Sequence, residues 1–316
     1  MVGKIHLTNT ATPIFALLFF TIFMSACKHD SLLQEQKLLD YPSASGIEYF
    51  NKHLYIIGDD AGYLLITDSS LAVVDSFSLY SLMSQRIPKN VKPDLEAITL
   101  MGNNKLLILG SGSVAPYRNA AWILDPIKKT RDSLRLDTFY KRITLNGLPV
   151  LNIEGVAFVP GGILISNRGN KGFPKNHLIF TSNNFWHNQS AAPINVVCIG
   201  TNTDTSIFNG VSGMTYSTRS DQLILTVSTE DTKNATDDGA IGKSYLWIVN
   251  SITSKKNGKA INPNRIIDLA DTDPAFKGQK IESVCILNET DDFFYLVLSA
   301  DNDNGKSTLF RMVVEK

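Results

Sequence analysis

Ser45-Gly46-Ile47, Glu96-Ala97-Ile98, Glu154-Gly155-Val156, Ser212-Gly213-Met214 and Glu282-Ser283-Val284 are five versions of one phrase: Glu or Ser, then a small residue, then an apolar one. The copies recur roughly 50 to 70 residues apart, and each opens a strand-like stretch. A period of that length built only from strand-like segments is the mark of a blade repeated around an axis. The phrase therefore predicts an all-β chain folded as a β-propeller.

Working outward, each phrase leads into a longer apolar run: Leu54 to Ile57, Leu106 to Leu109, Ile163 to Ile165, Leu223 to Leu225 and Phe293 to Leu298. One or two further strand-like runs follow in each repeat, punctuated by Gly, Asn, Asp and Pro as antiparallel hairpins require. No long segment carries a 3.6-residue apolar period. The reading is five four-stranded blades, with room for a sixth in the strand-poor interval Asn250 to Asp268. The last repeat holds only three strands. Leu32 to Leu39 is expected to supply the fourth and close the ring, leaving no open sheet edge between first and last blades.

The N-terminus has Lys4 and His6, an apolar run from Ile14 to Met24, then Ser25-Ala26-Cys27. That order describes a secretory signal peptide, and the run is too short to span a bilayer. Ser25-Ala26-Cys27 resembles the lipobox of bacterial lipoproteins, with Met24 where Leu is usual. The resemblance implies acylation of Cys27 and an exported chain lipid-anchored at a bacterial cell membrane, with the outer membrane expected, on its periplasmic or surface face. The expected organisation is 1–27 signal peptide, 28–40 tether and closing strand, and 41–316 a single propeller domain.

Thirty basic and thirty acidic residues give zero formal net charge, and no basic stripe stands out, which disfavours nucleic acid as a partner. A hydrophobic content of 43% with 9% aromatics is that of a folded globule. Besides Cys27, only Cys198 and Cys285 remain, each inside an apolar strand-like run. An exported domain permits a disulfide between them. They fall in different repeats, so the plainer reading is two small buried hydrophobes. Neither has a basic neighbour in sequence that would mark a nucleophile.

Propeller symmetry should bring the loops after each second strand to one end of the axis. They read Gly58-Asp59-Asp60, Ser111-Gly112-Ser113 with Arg118, Asn167-Arg168-Gly169-Asn170, Thr229-Glu230-Asp231 and Ala300-Asp301-Asn302-Asp303. Asp59, Asp60, Glu230, Asp231, Asp301 and Asp303 are hard oxygen ligands of the kind calcium prefers. Arg118 and Arg168 offer planar forks for a phosphate or carboxylate, with Asn167 beside them. Glu96, Glu154 and Glu282 head the adjoining inner strands and are expected to point into the same region. The same residue types also build ordinary tight turns, and a repeated Glu can serve only the architecture, so both readings stand. Asp301-x-Asp303-x-Gly305 is no EF-hand, because Met312 stands where the twelfth-position Glu belongs. The five histidines show no metal-type spacing, and no Gly-x-Ser-x-Gly elbow is present.

The Glu-(Gly/Ala/Ser)-(Val/Ile) phrase resembles the phytase-like and SdiA-regulated-like group of bacterial β-propellers. The segments Ser43 to Glu48, Lys92 to Ala97, Leu109 to Ser113 and Ser166 to Asn170 are similar to an uncharacterised family of bacterial lipoproteins. The resemblance implies a calcium-stabilised propeller with phosphoester or ester hydrolysis as its activity. Two functions follow from the sequence. One is an anchored binding module that holds a small anionic ligand, a glycan or a protein partner. The other is a metal-dependent phosphoesterase or esterase working on the same face. The first is favoured because no nucleophile or base is recognisable.

Overall fold

A computed structural model describes residues 31–80, 86–200, 208–230, 241–258, 260–301 and 305–316. Strand β1 (Ser31–Leu39) precedes the first blade, which is β2 (Ala44–Phe50), β3 (His53–Gly58), β4 (Tyr63–Asp68) and β5 (Val73–Ser78). The second blade is β6 (Leu95–Leu100), β7 (Leu106–Gly110), β8 (Ala120–Asp125) and β9 (Thr130–Arg135). The third is β10 (Ile153–Val159), β11 (Gly162–Asn167), β12 (Asn176–Thr181) and β13 (Asn195–Ile199). The fourth begins with β14 (Asn209–Ser217), β15 (Gln222–Glu230) and β16 (Ile241–Asn250). The chain then detours through β17 (Ala260–Ile261), which pairs in parallel with β13, before β18 (Arg265–Asp268) completes the fourth blade. The interval 250–268 thus holds an outer strand and a patch on the neighbouring blade, not a sixth blade. The fifth blade is β19 (Ile281–Glu289), β20 (Phe293–Asp301) and β21 (Ser307–Glu315), with β1 as its outer strand, antiparallel to β21. The architecture is a five-bladed β-propeller.

The five phrases share one backbone irregularity. The pairing of first and second strands slips at Ser45, Glu96, Glu154, Ser212 and Glu282, one bulge per blade at the first residue of the phrase. A bulge leaves its extra residue out of the ladder and re-aims the side chain. The innermost strands neighbour one another in a ring, and the bulged serines cross to the next member. Ser45 Oγ donates to the carbonyl of Leu95, and Ser212 Oγ to that of Ile281 at 2.6 Å. The second residue of the phrase must be small because the next blade lies against it. A Cβ on Gly155 would stand 2.8 Å from Met214 Cγ, and one on Gly213 2.5 Å from the Glu282 carbonyl oxygen. The third residue is the matching knob: Ile47, Ile98, Val156, Met214 and Val284 are all buried.

The core is a set of apolar wedges between neighbouring blades. Burying each Leu, Ile or Phe there contributes about 1.5–3 kcal/mol, so adhesion is spread around the ring. Helix α1 (Asp137–Leu145) fills the wedge between the second and third blades with Phe139, Tyr140 and Ile143. Its Tyr140 hydroxyl donates to the Gly110 carbonyl at 2.7 Å, which fixes the end of β7. Cys198 and Cys285 are both free thiols. No helix among the described residues is long and apolar enough to cross a membrane.

Candidate functional site

The register makes the loop end of the axis a repeated structure. In four blades a backbone N–H at the end of the second strand returns to the residue two before the bulge: Asp59 to Ser43 O, Ser111 to Asp94 O, Arg168 to Asn152 O and Asp301 to Lys280 O, at 2.8–3.1 Å. Ser43 and Asp94 reach this position with left-handed backbone, φ 53° and 55°. That conformation costs a residue other than glycine some strain, and strain of this kind gathers at functional sites.

Asp94 is the hub. Its buried carboxylate accepts from Arg118 Nη1 at 2.6 Å, from Lys92 Nζ at 2.9 Å and from the Ser111 hydroxyl. Arg118 Nη1 also donates to Ser113 Oγ at 2.7 Å. Lys92 reaches across the blade boundary to Asp59. Burial alone would lower the Lys92 pKa, but Asp59, Asp94 and Glu96 more than reverse this and hold the ammonium charged. Carboxylate oxygens of Asp59, Asp94 and Glu96 lie within 4.8 Å of one another.

Glu96 is half-buried and, among the described residues, has no hydrogen-bond or ion-pair partner. Burial first, then the charges of Glu154, Asp94 and Asp59, push its carboxyl well above the ordinary range, with Lys92 only partly offsetting them. Asp59 is also raised, by burial against the opposing pull of Lys92. Glu154 accepts from the Asn152 side chain, and Glu282 pairs with Lys280 at 2.7 Å. Asp60 is buried and pairs with Arg86, whose Nε stands 2.7 Å away. Ser43, Asp59, Asp60, Arg86, Lys92 and Asp301 line a cavity of about 340 Å³ at the seam of the fifth and first blades.

The structure therefore brings Asp59, Asp60, Asp301, Glu96, Glu154 and Arg118 into one connected charged region. Arg168 is buried at the equivalent place on the third blade, its guanidinium lying over Gly210, where a Cβ would be 2.4 Å from Nε. Asn167 brackets the backbone: its Oδ1 accepts from Asn152 N at 2.8 Å, and its amide donates to the Val150 carbonyl. Cys27, the Glu230 side chain, Asp231 and Asp303 lie outside the described residues. Lys92, Asp94, Arg86 and Lys280 are site residues that the sequence reading did not single out. The signal for Lys92, Asp94 and Lys280 is the alternation Lys92-x-Asp94-x-Glu96, echoed by Lys280-x-Glu282, which sets charges just before two of the five bulges.

A second axial layer lies one residue beyond the phrase. Glu48 accepts backbone N–H bonds from Leu100 at 3.0 Å and Tyr49 at 2.9 Å, yet burial lifts its carboxyl to about 7. Cys285, also in this layer, is fully buried, and burial followed by the charge of Glu48 raises its thiol well above the ordinary value.

Among solved structures, glutaminyl cyclase from Myxococcus xanthus is similar, with TM-score 0.55 and 9% identity over 90% of this chain and 97% of that one. Virginiamycin B lyase from Staphylococcus aureus gives TM-score 0.41 and 13% identity over 89% and 99% of the two chains. YCF48 bound to D1 peptide gives 0.40 and 11% over 88% and 94%. The first of these likenesses supports the propeller fold; at such identities the chemistry does not carry over. Comparison with curated proteins gives no match. One family matches residues 40–314, from the first blade through β21, and by that match the chain belongs to DUF6929, a family of unknown function.

Proposed function

We propose that the chain is an exported, lipid-anchored propeller whose charged loop end, around Asp59, Asp94 and Glu96, binds a small polar ligand bearing a cationic group, with Glu96 exchanging the proton. The observation that carries this reading is the unpartnered Glu96 carboxyl, raised in pKa, beside the carboxylates of Asp59 and Asp94 and within the field of Glu154 and Lys92. A group so placed, its carboxyl raised above the ordinary range, is equipped for acid–base work. The arginines considered for an anion are committed inside the fold, Arg118 to Asp94 and Arg168 over Gly210. The clustered carboxylates of Asp59, Asp94 and Glu96 favour an amine over a phosphate.

The test is a melting-temperature screen of amines, zwitterions and anions against the wild type and Glu96→Gln. A ligand bound only by the native state raises the melting temperature by mass action. Amine-bearing compounds are expected to raise that of the wild type and to lose the effect in Glu96→Gln. Their affinity should grow with pH, because a bound cation favours the ionised carboxyl. Stabilisation by anions alone, indifferent to Glu96, would overturn the reading. For the anchor, Cys27→Ser should abolish acylation and release the chain from membranes.

One observation favours a second reading, a calcium-dependent phosphoesterase of phytase-like type. Three carboxylate oxygens stand close enough to share a hard cation. Lys92 already pairs with two of the three, Asp59 and Asp94, so calcium would have to displace it. A saturable calcium-induced rise in melting temperature, lost in Asp94→Asn, is the outcome this second reading requires.

A further inference from the structure

We infer that Cys198 and His177 form a separate reactive site, a thiol–imidazole pair that exchanges with small-molecule disulfides. The two residues are far apart in sequence but directly opposite in the β12–β13 ladder, so the sheet register holds them together. Cys198 Sγ lies 3.5 Å from His177 Nε2, within hydrogen-bond reach for sulfur. Cys198 is half-buried, whereas Cys285 is fully buried. The imidazole is buried and fixed by stacking on Phe173, with ring centroids 5.7 Å apart and planes at 18°.

Burial, assisted by the nearby charge of Lys175, brings His177 down to about 4. The ring is therefore neutral from pH 5 upward, which leaves Nε2 as a hydrogen-bond acceptor facing the thiol. A nucleophile beside an oriented base is the arrangement that activates cysteine in covalent chemistry. Cys285 supplies the internal contrast: it is fully buried and its thiol is held protonated.

The step balances as thiol–disulfide exchange. Nε2 takes the Sγ proton while Sγ attacks one sulfur of R–S–S–R, the S–S bond breaks, and the leaving thiolate recovers the proton as RSH. The product is a mixed disulfide on Cys198, with no net redox change.

The experiment uses the full chain carrying Cys27→Ser, which leaves only Cys198 and Cys285, with dithiobis(nitrobenzoate) as the probe. The native chain should release one equivalent of thionitrobenzoate. Cys198→Ser should release none before denaturation, and Cys285→Ser should behave as the parent. A free thiol's rate rises about a hundredfold from pH 6 to pH 8, following its thiolate fraction. That of Cys198 should rise less than about tenfold, because its base is neutral across that range, and His177→Gln should restore the steep profile. The profile of the parent chain decides the matter even if His177→Gln misfolds. Release only after unfolding, labelling at Cys285, or a parent profile as steep as that of free cysteine would each overturn the pair.

Discussion

Glu48 shows how one buried carboxyl couples stability to pH. Its unfolded value is 4.5 and its folded value about 7, so between these pH values the native state holds the extra proton. Stability from this group is therefore fully present below about pH 4.5 and is lost as pH rises through 7. At about 1.4 kcal/mol per pKa unit, the whole swing is on the order of 3 kcal/mol. Glu48→Gln keeps the shape but cannot ionise. Its melting temperature relative to wild type is expected to climb steadily from pH 5 to pH 8, as read by thermal denaturation at fixed ionic strength. A difference that stays flat across that range would show that Glu48 titrates normally. Nothing around Glu48 in sequence announces this, because its environment is made by Leu100 and Cys285 from the two adjoining blades. The same reason hid the Asp94 hub, whose partner Lys92 reaches Asp59 only because the first and second blades meet at the axis. His177 and Cys198 were likewise invisible as a pair until the β12–β13 register set them opposite each other.

At the scale of elements, the recurring phrase was readable because each of its three positions answers a separate steric demand. The first is bulged out of the ladder, the second yields to the next blade, and the third fills the space so made. Gly155→Ala tests the second demand directly. A methyl there would press on Met214 Cγ and the Ser166 hydroxyl, both 2.8 Å away, and on Met214 N at 3.0 Å. Overpacking of that kind costs about 1–3 kcal/mol. Chemical denaturation should show the loss, and pairing it with Met214→Ala should recover part of it. Full additivity of the two changes would mean that Gly155 does not act through Met214. Elements without this repeated demand were not readable. Helix α1 is nine residues long and presents only Phe139, Tyr140 and Ile143 inward, too few for a helical period to show. Strand β18 has four residues and arrives after the detour through β17, so the interval Asn250 to Asp268 read as strand-poor, with room for a sixth blade.

For the whole molecule, the question is what keeps five wedges closed. Each blade adheres to two neighbours through apolar side chains, but the ring is secured where β1 joins β21. Leu39 is buried beneath that seam, Arg311 pairs with Glu35, and Ser307 Oγ donates to the Tyr41 carbonyl at 2.8 Å while accepting from Ala44 N at 2.9 Å. Closure also shapes the candidate site, because Asp301 of the last blade and Asp59 of the first share one cavity across the seam. Deleting residues 31–39 should cost at least about 3 kcal/mol, the burial of Leu39 together with the partial burial of Leu33. It should also leave β21 as an open edge able to pair with another chain. Size-exclusion chromatography is expected to show concentration-dependent oligomers with a lowered melting temperature, both reversed by a synthetic peptide of residues 31–39 added in excess. Amine binding at the charged loop end should weaken in the truncated chain and return with the peptide, since Asp301 and Asp59 face one cavity across the seam that β1 closes. A truncated chain that stays monomeric with its melting temperature unchanged would move the source of closure from the β1–β21 ladder to the inner-strand ring alone.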